Sequence, residues 1–275
     1  MNPSDAIEAI EKPLSSQPYS LSRHIPDHLR KLTSHEPVPG IMGESGAGKS
    51  SLCNALFQGE VTPVSDVLAG TREVQRFRLN GHGHSMVITD LPGVGESRDR
   101  DAEYEALYRD ILPELDRVLW LIKADDRALS VDEYFWRHIL DRGHQHVLFV
   151  VTQADKTEPC HERDMTGIQP SPAQAQNIRE KTKAVFRLFR PVHPVVAVSA
   201  RTDRELNTPV SALMTALPDH AAGPLMTCLQ GDLCTESVRS QARKQFTGAV
   251  DRIFDTAESV CVATVARAVW NWIFF

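Results

Sequence analysis

The stretch Gly43-Glu44-Ser45-Gly46-Ala47-Gly48-Lys49-Ser50 decides how the rest of this chain reads. It fits G-x-x-x-x-G-K-[ST], a loop whose glycines let successive backbone N–H groups turn into a concave anion site. Lys49 supplies a cation suited to the β- and γ-phosphates of a nucleoside triphosphate, and the Ser50 hydroxyl is a ligand for Mg²⁺. Gly43, Glu44, Ser45, Gly46, Ala47 and Gly48 form the cradle. Ser51 opens the segment Ser51–Phe57, which reads as a helix with its positive N-terminal end toward the same phosphates.

Outward from the loop, strand and helix patterns alternate. Candidate strands are Val38–Met42, Glu73–Leu79, Ser85–Asp90, Arg117–Ile122, His146–Thr152 and Pro194–Val198. The runs at 86–88, 118–122 and 147–151 are continuously apolar, as interior parallel strands covered on both faces must be. Helical patterns fall at Gly48–Phe57, Asp101–Leu112, Val131–Asp141, Pro172–Phe189 and Thr208–Leu217. The alternation predicts an α/β fold with a doubly wound sheet. Asn80-Gly81-His82-Gly83-His84 has hairpin chemistry, so the second and third strands pair antiparallel. A mostly parallel six-stranded sheet with that one antiparallel pair is the arrangement of a Ras-like P-loop G domain. Pro39 cannot donate to a ladder, so the first strand is short or begins at Gly40.

The chain has 275 residues, 41% hydrophobic and 24% charged, which suits one large globular domain or a medium one with appendages. A net charge of -6 argues against a broad nucleic-acid-binding surface. Five cysteines without C-x-x-C spacing, and no signal peptide, point to reduced thiols in a cytoplasmic protein.

Three further motifs narrow the chemistry. Asp90-Leu91-Pro92-Gly93 follows an apolar strand, with a carboxylate able to hold Mg²⁺ through water and a Gly93 amide able to sense the γ-phosphate. Thr71 lies between the loop helix and the second strand, where a switch threonine completes the Mg²⁺ shell. Thr152-Gln153-Ala154-Asp155 follows the fifth strand. A carboxylate there accepts from guanine N1–H and its exocyclic amine, whereas adenine offers an acceptor and no such amine. Ser199 and Ala200, after the last strand, place backbone donors for the guanine O6.

Together these residues resemble the TrmE–Era–EngA–septin class of P-loop GTPases. GESGAGKSSLCNALF, TDLPGVGES, VTQAD and VSA look most like the enterobacterial prophage-associated GTPase family, over about Val38 to Leu217, and the C-terminal helix is also similar. The resemblance implies GTP and GDP binding, Mg²⁺ dependence and slow hydrolysis coupled to a switch. The departures matter. Thr152 and Gln153 stand where the family carries Asn and Lys, which leaves guanine choice to Asp155 and lowers affinity. Val94 stands where Ras-like proteins carry a water-orienting Gln, so water is positioned otherwise: Glu96 is the nearest candidate, Arg72 is a candidate charge stabiliser, and a second protomer is a further source of a group. Gly46 replaces the Asn of potassium-activated relatives. These departures keep a second reading open: a septin-like assembly or membrane-associated protein with little hydrolysis.

Residues 1–37 read as a Pro- and Ser-rich arm, 38–218 as the G domain, 219–234 as a linker and 235–275 as an amphipathic helix. The tail ends in Trp270-Asn271-Trp272-Ile273-Phe274-Phe275, with Arg239, Arg243, Lys244 and Arg252 upstream. It suits docking on the G domain or a homodimer partner, or a peripheral contact with the inner membrane; a full span is disfavoured because the segment barely reaches the minimum length and contains Arg267. His82 and His84 read as turn residues, and Cys160-His161 near Asp164 as a variable loop, since neither has a metal-ligand spacing.

Overall fold

The computed structural model describes residues 35–63, 74–81, 84–93, 98–140, 146–159, 170–199, 206–254 and 270. Thr71, Arg72, Val94, Glu96, Ala200, the arm before His35 and the tail around Trp270 lie outside the described residues.

Seven strands form one sheet: β1 (Pro39–Gly43), β2 (Glu60–Pro63), β3 (Gln75–Gly81), β4 (His84–Asp90), β5 (Arg117–Lys123), β6 (Val147–Thr152) and β7 (Val196–Ala197). Their order is β2-β3-β4-β1-β5-β6-β7. Strands β4, β1, β5, β6 and β7 are mutually parallel, while β3 runs antiparallel to β4 and to β2. The six expected strands and their antiparallel hairpin are present, and β2 adds a seventh at the edge. Strand β1 opens on Pro39 itself, a first-residue position at which proline is tolerated.

Seven α-helices lie among the described residues: α1 (Lys49–Leu56), α2 (Arg98–Ile111), α3 (Ser130–His138), α4 (Pro172–Phe189), α5 (Asn207–Ala216), α6 (Ala222–Thr227) and α7 (Glu236–Phe254). The sheet separates two apolar layers. Ile41, Leu119, Leu121, Leu148 and Val150 face α1, α5, α6 and α7. Met42, Val118, Trp120, Ile122, Phe149 and Val151 face Tyr104 and Tyr108 of α2, Phe135 and Trp136 of α3, and Val185 and Phe189 of α4. Residues alternate between the layers, yet both layers are buried, which is why these strands read as unbroken apolar runs.

The segment 219–234, expected as a linker, is instead packed. Ala221, Ala222, Leu225 and Cys228 are fully buried. Leu229 bridges antiparallel to Phe57, with Gln58 N–H donating to the Cys228 carbonyl and Gln230 N–H to that of Leu56, both at 2.9 Å. Pro224 sits in the first turn of α6, where its missing N–H has no intrahelical partner to lose. Helix α7 is fastened to α5 by Gln245 Nε2 donating to the Met214 carbonyl at 2.6 Å and Gln241 Nε2 to that of Ser211 at 3.3 Å. Trp270 is wholly buried against Phe246, ring centroids 5.6 Å apart, beneath the Arg243 guanidinium. That aromatic of the tail is spent on this chain's own α7. No helix among the described residues is long and apolar enough to cross a membrane.

Candidate functional site

Parallel strands feeding helices leave their carboxyl ends at one edge, and the loops there form the site. Gly43 ends β1, and the chain then turns into α1 through Gly48, whose φ of 87° lies in the left-handed region that a side chain would strain. No side chain caps α1 and no acid lies in its own first turn, so the helix itself leaves its N-terminal dipole open. Lys49 Nζ folds back over the loop, donating to the carbonyls of Gly43 at 3.1 Å and Glu44 at 3.3 Å.

Gly46, Gly48, Lys49, Ser50 and Ser51 share one cavity of about 570 Å³ with Thr152, Gln153 and Asp155. The end of β6 is tied directly to the loop. The buried Thr152 hydroxyl donates to the Ala47 carbonyl at 2.7 Å, and Gln153 Nε2 donates to the Gly46 carbonyl at 2.7 Å. Gln153 adopts a φ of 55° to make that reach. The two residues that depart from the usual Asn-Lys pair therefore both hold the phosphate loop. Asp155 Oδ1 accepts from the Ser199 hydroxyl at 2.7 Å, which aims its carboxylate along the cavity wall. Ser199 thus reaches the site through its side chain, behind Asp155.

Two supporting residues were not apparent from the sequence. Lys156 lines the cavity and donates to Gln153 Oε1 at 2.6 Å; its place beside Asp155 was the available signal. Gln174, buried on α4, donates to the carbonyls of Asp155 and Thr157 at 3.2 and 2.8 Å, fixing the base-side turn. A lone helical glutamine gives no sequence signal for that task.

Asp90 and Gly93 approach from the other side of the loop. A Cβ on Gly93 would lie 2.8 Å from Ser45 N, so only glycine lets the Asp90–Gly93 turn approach so closely. Tyr108 of α2 donates its hydroxyl to the Pro92 carbonyl and pins that turn. Asp90 and Ser50 line a second cavity of about 260 Å³. Asp90 Oδ1 is buried without a hydrogen-bond partner, and burial pushes its carboxyl up from the usual value although the nearby Lys49 offsets part of this. A buried carboxylate oxygen lacking a donor, beside a serine hydroxyl, is a donor set that fits Mg²⁺.

Beside the loop, Glu44 and Asp132 have partners within the protein. Glu44 pairs with Lys123 at 3.4 Å, and burial together with Asp126 pushes its carboxyl up. Burial drives Asp132 up to about 6 even though Trp120 Nε1 donates to it at 2.7 Å. Glu44 does not line the cavity: its backbone carbonyl accepts from Lys49 Nζ and the Ala47 N–H, and its side chain is turned to Lys123.

The strand order and the phosphate loop define a P-loop G domain. A family model described as "50S ribosome-binding GTPase" matches residues 39–153. The Escherichia coli K12 protein YeeP is 81% identical over 183 residues, covering 61% of this chain and 78% of YeeP. YfjP of the same organism is 45% identical over 287 residues, covering 98% of this chain and 99% of YfjP. Among solved structures, Era in complex with MgGDPNP and a 16S ribosomal RNA segment is similar with a TM-score of 0.50 at 21% identity, over 67% of this chain and 58% of that one, a likeness of fold. The chain belongs to one family with YeeP and YfjP, and its residues 39–153 are a P-loop GTPase domain of the kind that model describes.

Proposed function

We propose that this chain is a slow, Mg²⁺-dependent GTP hydrolase acting as a molecular switch. One observation supports this reading above the others. Eight residues singled out from sequence, from two separate stretches, line a single cavity at the carboxyl edge of the sheet. In this reading Lys49 and the loop amides hold the β- and γ-phosphates at the start of α1. Asp155, aimed by Ser199, accepts from guanine N1–H and the exocyclic amine. Ser50, Asp90 and Thr71 hold Mg²⁺, Asp90 through water. When bound, Mg²⁺ neutralises charge developing across the β- and γ-phosphate oxygens. Gly93, seated against Ser45, presents its amide to the γ-phosphate and moves with its turn once that phosphate leaves.

Val94 has no group to donate or accept a proton, so water orientation falls to Glu96 or to a second protomer, and turnover is slow. Single-turnover hydrolysis of GTP with and without Mg²⁺, followed by size analysis of the GTP- and GDP-bound chain, tests the reading. Mg²⁺-dependent cleavage with a conformational change supports it. Negligible cleavage accompanied by GTP-dependent assembly overturns it in favour of a septin-like scaffold.

A further inference from the structure

The edge of the sheet opposite the phosphate loop carries a cluster that nucleotide chemistry does not use. His35 precedes β1, Asp116 immediately precedes β5, and His220 lies in the connection from α5 to α6. One ring nitrogen from each histidine and one oxygen of Asp116 lie within 4.8 Å of one another, the single such grouping among the described residues. His35 Nε2 stands 3.0 Å from Asp116 Oδ2, and the two imidazoles meet edge to face with centroids 4.3 Å apart. The three segments are remote in sequence, His35 and Asp116 being 81 residues apart.

We propose that His35, Asp116 and His220 form a Zn²⁺-class binding site that staples the segment before β1 and the α5–α6 connection to the start of β5. Two imidazoles and one carboxylate are a borderline ligand set, suited to Zn²⁺ or Co²⁺ rather than to the all-oxygen shells of Mg²⁺ and Ca²⁺. Bonds of about 2.0–2.1 Å in a tetrahedral shell put ligand atoms roughly 3.3 Å apart. The His35–Asp116 pair, at 3.0 Å, is within a few tenths of an ångström of that spacing, and the His220 ring nitrogen lies within 4.8 Å of both. The carboxylate is held in place by the Val38 N–H, which donates to the same Oδ2 that faces His35, at 2.8 Å. Nearby cations are engaged elsewhere: Arg117 donates to the Asp116 and Ala216 backbone carbonyls, and Arg252 pairs with Asp219. Three protein ligands leave the fourth position to water.

The site is tested on the full chain, stripped with chelator and titrated with Co²⁺ alone, then with Zn²⁺ in competition. The expected result is one Co²⁺ per chain with visible ligand-field bands, no near-ultraviolet thiolate band, and full displacement by Zn²⁺. His35→Gln and His220→Gln each weaken Co²⁺ binding by at least about tenfold, and Zn²⁺ raises the melting temperature of the wild type but of neither variant. His146→Gln, altering a neighbouring imidazole outside the cluster, leaves binding unchanged. The absence of stoichiometric binding by the wild type overturns the proposal. So does a thiolate band that assigns the metal to cysteines, or retention of full affinity in both histidine variants.

Discussion

Thr152→Val isolates the bond between the base-side strand and the phosphate loop. Valine matches the shape of threonine, so the change leaves no cavity. What it removes is a buried hydroxyl donating to the Ala47 carbonyl at 2.7 Å, with a longer secondary contact to the Ile122 carbonyl at 3.4 Å. Leaving a buried acceptor without its donor costs about 1–3 kcal/mol. The Ala47 carbonyl belongs to the loop that must be ordered around phosphates, so the cost falls on nucleotide binding as well as on the fold. If it falls wholly on binding, GDP affinity drops by roughly 5–150-fold. The assay is fluorescent-GDP binding at saturating Mg²⁺, paired with melting of the nucleotide-free chain. The expected outcome is weaker binding driven by faster release, with a smaller drop in melting temperature. GDP affinity within twofold of wild type, with unchanged melting, would refute the idea that Thr152 takes over loop-holding from the usual asparagine.

Asp90→Asn removes a buried carboxylate whose Oδ1 has no hydrogen-bond partner. The nucleotide-free chain should melt higher near neutral pH, while the gain in GTP affinity from Mg²⁺ shrinks by at least about tenfold; a variant that keeps its Mg²⁺ response sinks the assignment. Asp132 predicts a pH dependence. Its folded-state value of about 6 lies above the usual 3.8, so its contribution to stability is fully present below 3.8 and is lost as pH rises through 6. The difference amounts to about 3 kcal/mol as an upper figure. Asp132→Asn should therefore raise the melting temperature at pH 7.5 by several degrees and flatten the decline between about pH 4 and 6. Identical melting-versus-pH curves for variant and wild type would contradict this.

Much of the fold was legible because burial on both faces writes itself as apolar runs. Val118–Ile122 and Val147–Val151 could be placed from hydrophobicity alone, and the helical pattern at Pro172–Phe189 gives the bounds that α4 has. Strand β2 was missed because Glu60–Pro63 is only four residues long and ends on a proline, too short a run to show a period. The segment 219–234 was misread because its Gly and Pro suggested a linker, while burial of Leu225 and Met226 depends on a groove built by remote residues. In the site, the phosphate loop, Asp90 and Asp155 announced themselves by residue type and order. The tethering roles of Thr152, Gln153 and Gln174 did not, because each is a contact across 17 or more residues that no local pattern records.

The central claim is that Asp155 makes this phosphate loop a guanine-nucleotide site. It is tested most directly by titrating GTP, GDP, ATP and XTP against the wild type and Asp155→Asn. The wild type should bind GTP and GDP, with ATP weaker by at least about 100-fold because adenine leaves the carboxylate unpaired. Xanthine carries a carbonyl where guanine has its amine, so the asparagine amide can donate to it, and Asp155→Asn should lose GTP and gain XTP. Equal affinity of the wild type for ATP and GTP, or GTP binding indifferent to Asp155→Asn, would contradict the account.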